Sequence, residues 1–133
     1  MPLIYNGQEA GNTKRLKFFE KDPIVWKAHP NGELYKKLIA LKKKNTALWN
    51  AHWGATMIAV PNSAPNQVLS FVRRNDIDKV FAVINFSAKP QTVTFKDTLY
   101  QGKYTEYFTN QPAELDASTK LTLKPWGYHV FVK

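Results

Sequence analysis

Gln67-Val68-Leu69-Ser70-Phe71-Val72-Arg73-Arg74-Asn75-Asp76-Ile77-Asp78-Lys79-Val80-Phe81-Ala82-Val83-Ile84-Asn85 decides how the chain folds. Two runs rich in β-branched and aromatic residues flank Asn75-Asp76-Ile77-Asp78, which reads as a tight hairpin connection. Similar runs lie at 57–60, 91–96, 103–109, 120–124 and 128–133, separated by turn residues. Alternation in Val93-Thr94-Phe95 and Val130-Phe131-Val132 marks strands with one buried face. Seven short runs in this pattern predict an antiparallel sandwich or barrel. No internal repeat is present.

Upstream the period changes. Leu34, Leu38, Leu41 and Leu48 are spaced by four, three and seven residues, with Tyr35 and Ile39 widening the stripe. That spacing predicts an amphipathic helix over about residues 30–49. Asn31 suits its cap, Glu33 its first turn, and Lys42, Lys43 and Lys44 the negative end of its dipole. Before it, residues 8–29 read as a long connection with a partly buried aromatic anchor, containing Phe18-Phe19 and Pro23-Ile24-Val25-Trp26. At the start, Pro2-Leu3-Ile4-Tyr5 is an apolar run closed by Asn6-Gly7 and reads as a buried strand. The expected division is 1–52 and 53–133.

With 133 residues the chain has room for one ordinary domain and an appendage. Its 44% hydrophobic and 14% aromatic content supports a sizeable core. There is no cysteine, which excludes disulfides and thiolate metal sites and leaves the compartment open. The first residues show no signal-peptide pattern, and no run approaches a membrane span, so no membrane partner is expected. The net charge of +9 suggests an anionic partner, but ten basic against four acidic residues in 1–50 account for most of it. Lysines opposite a leucine stripe read as the solvated face of a helix, and no nucleic-acid-binding fold accompanies them.

Several motifs, in order, carry a resemblance. Met1-Pro2-Leu3-Ile4-Tyr5-Asn6-Gly7-Gln8-Glu9 resembles the segment forming the eighth barrel strand in glycoside hydrolase family 13, the α-amylase family. Phe18-Phe19-Glu20-Lys21-Asp22-Pro23-Ile24-Val25-Trp26 is similar to that family's lead-in, and the stretch from Leu34 to Lys42 is similar to its eighth barrel helix. Asn45-Thr46-Ala47-Leu48-Trp49 and the strands after it resemble the family's domain C, closing on Leu123-Lys124-Pro125-Trp126-Gly127-Tyr128-His129-Val130. The resemblance implies a mainly β chain: an antiparallel β-sandwich of the amylase domain C type, preceded by a strand-loop-helix remnant of a (β/α)8 barrel. It also implies a C-terminal fragment of an enzyme acting on α-glucans. The family's nucleophile, acid/base and transition-state-stabilising carboxylates belong to earlier barrel strands, and none of their motifs occurs here. No catalytic residue is therefore assigned, and the chain is expected to be inactive alone. The expected partners are the remainder of a catalytic barrel and an α-glucan, and no cofactor is implied.

Five residues are candidates for substrate contact. Tyr5, Gln8 and Glu9 follow the end of the barrel-type strand, the face where such barrels gather their active sites. The simpler reading is that Gln8 and Glu9 order their loop and that Tyr5 packs. Trp126 and Tyr128 flank a turn glycine and have the flat faces that stack on sugar rings, although most large aromatics in a small sandwich are core or interface residues. His29, His52 and His129 show no metal-ligand spacing, and no metal site is assigned. Asp76 and Asp78 imitate the start of a calcium loop that lacks its Gly and distal Glu. Asn85-Phe86-Ser87 fits a glycosylation acceptor but falls within an expected strand. An independent carbohydrate-binding or interaction module of the same ancestry is the alternative reading. Nucleic-acid binding has only net charge behind it.

Overall fold

The computed structural model describes residues 3–133, which divide into two compact units, one ending at Lys44 and one comprising Asn45–Lys133. The second is built almost wholly of strands. β1 (Ile58–Ala59), β2 (Val68–Arg74), β3 (Lys79–Asn85), β4 (Gln91–Val93), β5 (Gly102–Glu106), β6 (Gln111–Leu115), β7 (Leu121–Leu123) and β8 (Tyr128–Val132) follow in order. Six of them form one sheet in the order β1-β2-β3-β8-β5-β6, and β4 pairs with β7 in a second. Every pairing is antiparallel, and the arrangement is the expected β-sandwich.

The β2–β3 hairpin sets the register. Val68 faces Asn85 and Arg74 faces Lys79. The side chain of Asn75 holds the turn by accepting from the N–H groups of Ile77 and Asp78 (3.0 and 2.8 Å), the local bonding that makes Asn a turn residue. Alternation along β2 buries Val68, Ser70 and Val72 and turns Leu69 out. With strand partners Phe81, Val83, Tyr104, Leu115 and Phe131, this face closes on Val93 and Leu123 of the small sheet and on Phe95 and Tyr100. Phe81 lies at the centre, its ring 5.2 Å from Phe95, 5.4 Å from Tyr100 and 6.0 Å from Phe131. The buried tyrosine hydroxyls find acceptors: Tyr104 donates to the carbonyl of Tyr100 and Tyr100 to that of Asp116 (2.8 and 2.6 Å).

Two features depart from the seven-run reading. Gln111–Leu115 forms an eighth strand. Its Gln111-Pro112 start looks like a turn, but β6 lies at the sheet edge, where a proline removes no needed donor. Also, β3 is buried on both faces from Val80 to Val83. A short 3-10 turn, Thr46–Leu48, contacts β2 and β3, and Ala47 in it is fully buried. Thr46 is fastened to the hairpin by its N–H and hydroxyl, which donate to Asp78 (2.8 and 2.5 Å), and Arg73 donates to the carbonyls of Ala55 and Trp49 (2.8 and 2.9 Å). Residues 45–55 are thus bound to the strands of the second unit.

The first unit contains one α-helix, α1 (Pro30–Lys44). It begins at a proline, whose missing N–H costs nothing in a first turn, and stops before Asn45, short of Leu48. Asn31 lies inside the helix and does not cap it. Its own N–H is instead accepted by His29 Nδ1 (3.2 Å), and its side chain donates to the carbonyl of Gln8 (3.1 Å). Of the leucine stripe, Leu41 is buried while Leu38 and Ile39 are exposed. Leu3, Ile4 and Tyr5 have no strand structure and are exposed, because a strand needs a neighbour to complete its hydrogen bonds. Met1 and Pro2 of that expected strand lie outside the described residues. Among the described residues no helix is long and apolar enough to cross a membrane.

Candidate functional site

In the first unit, Tyr5, Gln8 and Glu9 come together on one loop. Gln8–Ala10 is a single 3-10 turn between two glycines in the left-handed region, Gly7 at φ 94° and Gly11 at φ 67°. A side chain at Gly11 would strike the His29 ring. Gln8 Oε1 accepts from the Tyr5 N–H (2.9 Å) and Glu9 Oε2 from the Gly7 N–H (3.0 Å). Both side chains therefore turn back on their own backbone. The Tyr5 side chain is exposed. Glu9, Trp26, His29 and Glu33 also line an open depression of about 420 Å³.

In the second unit, Trp126 and Tyr128 stand on and beside the turn leading into β8. Trp126 has φ 57° and is 64% exposed. A bulky residue in the left-handed region is strained, and here it holds an indole in solvent. The turn is fixed from several sides. Trp126 N–H donates to Ser87 (3.1 Å), Gly127 N–H to Lys124 (2.9 Å), and Asn85 N–H to Gly127 (2.9 Å). A Cβ at Gly127 would meet the Lys124 carbonyl at 2.9 Å, so only glycine fits there. Tyr128 is half-exposed, and its ring meets Phe108 edge-on at 5.1 Å.

Two buried polar residues organise this end, and sequence reasoning did not single out either role. Asn85 is 1% exposed, and its amide donates to the carbonyls of Lys89 and Lys124 (2.8 and 2.9 Å), tying two loops together. Its Asn-x-Ser pattern thus marks a loop clamp. Glu106 accepts at one oxygen from Phe108 N–H, Thr109 N–H and the Thr109 hydroxyl (3.1, 2.8 and 2.8 Å) and at the other from Val130 N–H (3.2 Å). Burial pushes this carboxyl up, but the bonds from Thr109 and Val130 and the nearby His129 outweigh it and hold the group below the usual glutamate range. A carboxylate before Tyr107-Phe108-Thr109-Asn110 was the available sequence signal for such a turn. Among the described residues no three His, Cys, Asp or Glu side chains are grouped as a metal site would require.

Comparison with known proteins adds to this geometry. In solved structures, the fold is similar to a noncanonic maltogenic α-amylase AmyB from Thermotoga neapolitana, with a TM-score of 0.81, 19% identity, and 99% of this chain on 32% of that one. It is also similar to AmyP in complex with maltose (TM-score 0.63, 15% identity, 84% of this chain, 22% of that one). A mutant of the trehalulose synthase MUTB matches at a TM-score of 0.56, with 20% identity, 77% of this chain and 18% of that one. The chain thus spans about a third or less of the length of these proteins. No curated protein sequence matches it significantly. The sequence profile of the family described as Maltogenic Amylase, C-terminal domain, matches residues 57–130, which run from just before β1 into β8. That match covers more than half of the chain, which therefore belongs to the maltogenic amylase C-terminal domain family.

Proposed function

We propose that the chain supplies the C-terminal, non-catalytic domain of an α-amylase-type enzyme acting on α-glucans, and that the segment 1–52 derives from the last strand and helix of its catalytic barrel. The observation carrying the first part is where the acidic residues are engaged. Glu106, Asp97 and Asp116 accept from backbone N–H groups within their own turns, and Asp78 from Thr46. Glu9 accepts from Gly7 and Asp22 from Lys17, while Glu20 and Glu33 pair with Lys17 and Lys36. A retaining glycosidase needs two carboxyl groups about 5 to 5.5 Å apart, one free to attack and one to protonate the leaving oxygen. Carboxylates that accept from backbone N–H groups of their own turns, as Glu106, Asp97 and Asp116 do, serve structure. The barrel origin of the first segment is supported by a fold likeness to AmyB that extends over 99% of the chain, well beyond the profile match.

Starch and maltooligosaccharides incubated with the purified chain test this reading. No reducing sugar above a buffer blank is expected at any pH. Release abolished by Glu9→Gln would overturn the reading and place a working carboxylate on the 3-10 turn. Activity that appears only on adding a separately expressed barrel fragment would support the domain's role as the end of a split enzyme.

The strained, exposed Trp126 favours a second reading, in which Trp126 and Tyr128 offer a stacking surface to a glucan. An indole face matches the apolar face of a pyranose. Titration of maltoheptaose against tryptophan fluorescence, repeated on Trp126→Ala, tests it. An unchanged response in the variant counts against this surface. Tyr5, Gln8 and Glu9 belong to the same proposal only as the rim of a parent active site.

A further inference from the structure

We propose that Arg74, Lys79 and Lys133 form a binding site for a phosphate group at one end of the sandwich. Arg74 on β2 lies directly opposite Lys79 on β3. Lys79 and Lys133 exchange both backbone hydrogen bonds (3.0 and 2.9 Å), so Lys133 continues the same row beside β8. Two residues along each chain lie Val72, Phe81 and Phe131, all members of the core. By the two-residue alternation of strands, the three cationic side chains project from the core-facing side of the sheet, just where the core ends.

Neighbouring strands are about 4.7–4.9 Å apart, so the row gathers three positive charges across two strand spacings. Like charges directly opposite in an antiparallel pair repel. Among the described residues the ion pairs are Lys14–Asp22, Lys17–Glu20, Lys36–Glu33 and His129–Glu106, and none includes a member of this row. Lys79 is also positioned: its ammonium donates to the carbonyl of Gln101 (3.0 Å) and sits 5.3 Å from the centre of the Tyr104 ring. That leaves two ammonium protons for a ligand. Burial first, and then the charges of Arg74 and Lys133, hold Lys79 below the usual lysine range. An anion would relieve this. A phosphate matches three donors from three neighbouring chain segments better than a single carboxylate, because it has more acceptor oxygens and more charge. The group could arrive as free phosphate or on a phosphorylated sugar, and the test separates these sources.

Thermal unfolding of the full chain is measured in inorganic phosphate and in chloride at matched pH and ionic strength, with amide NMR shifts recorded alongside. Phosphate should raise the Tm above the chloride value and shift the amides of Arg74, Lys79, Gln101 and Lys133. Lys79→Gln should lose that response, the Tm difference between phosphate and chloride being compared within each variant so that the lost Gln101 and Tyr104 contacts do not enter. Arg74→Gln, at an exposed position, provides an independent variant and should weaken the phosphate response. Equal Tm values in the two salts, or a phosphate response that survives both substitutions, would overturn the site. Glucose 6-phosphate shifting the same amides at lower concentration than phosphate identifies a phosphorylated sugar as the source. A stronger response to inorganic phosphate identifies the free ion, and either result supports a phosphate site.

Discussion

The two units bury their aromatic and aliphatic residues to different extents. In Asn45–Lys133, Phe81, Phe95, Tyr100, Tyr104 and Phe131 are buried in one continuous core, whereas in the unit ending at Lys44, Leu3, Phe18, Phe19, Val25 and Trp26 are all more than half exposed. Composition does not separate them, since both are rich in apolar side chains. Layers do. Two sheets give each other a face to bury, while a single amphipathic helix and irregular segments have no second layer to close on. The first unit is organised instead by short polar contacts: Gln8 to Tyr5, Glu9 to Gly7, Asn31 to Gln8, and the pairing of Lys14 with Asp22. Such contacts fix a loop locally and contribute little stability at the surface.

This contrast predicts, as its largest effect, that limited proteolysis cuts between residues 12 and 29 first and leaves a resistant piece reaching back to about Asn45. The retained boundary should lie before the Thr46 and Arg73 contacts. Early cuts within β2, β3 or β8 would break the comparison. In denaturant unfolding, Phe81→Ala should cost about 3–5 kcal/mol, as expected for an aromatic removed from a packed core. Phe18→Ala should stay within about 0.5 kcal/mol, as exposed substitutions do. Comparable losses at both positions would mean that the first unit has a core of its own.

Glu106→Gln tests the polar framework of the β unit at an intermediate scale. Removing the charge that four donors address should cost about 1–3 kcal/mol. The pH dependence has a definite sign. Because the folded state holds Glu106 below the usual glutamate range, its contribution is complete above that range and is lost as pH falls through the lowered value. Unfolding curves across acidic pH should show a steeper loss for the parent chain than for the variant, and identical slopes would remove Glu106 from this role. Asp78→Ala, which removes the acceptor of the Thr46 N–H and hydroxyl, should cost about 1 kcal/mol and advance the proteolytic boundary toward residue 55. A boundary still at 45 would show that buried Ala47 and the Arg73 and Asn75 contacts suffice to hold the segment.

The smallest effect concerns Trp126. Trp126→Gly relieves left-handed strain of about 1–2 kcal/mol but adds chain entropy that opposes folding by roughly 0.5–1 kcal/mol. A net stabilisation between about 0 and 1.5 kcal/mol is expected from the difference. If the variant gains stability and loses maltoheptaose binding, the strain is kept for the indole's exposure. A clear loss of stability would instead assign the ring a packing role.

Much of the fold was legible because its signals are local. Runs of β-branched and aromatic residues between turn residues located seven of the eight strands, and Asn75-Asp76-Ile77-Asp78 made the β2–β3 turn readable as a hairpin. Leucine spacing found α1 but overran its end, since Leu48 continues the period by chance while its backbone enters a 3-10 turn. The site was less legible. Gln8 and Glu9 accept from N–H groups of their own loop, which is the simpler of the two readings of these residues, but no local pattern reveals that Trp126 is left-handed and exposed or that Asn85 bridges two loops.

What the sequence determined by itself was the alternation of side chains, the placement of turn residues and the set of motifs that carries the α-amylase resemblance. These depend on neighbours within a few residues. Only the tertiary structure decided that β8 lies between β3 and β5, that Pro112 sits on an edge strand, and that Arg74, Lys79 and Lys133 share one row. It also decided that Leu38 and Ile39 of the helix stay exposed while Val80 to Val83 of β3 are buried on both faces. Strand order and burial depend on partners distant in the chain, and period-2 alternation constrains only which face a residue takes, never which strand it will meet.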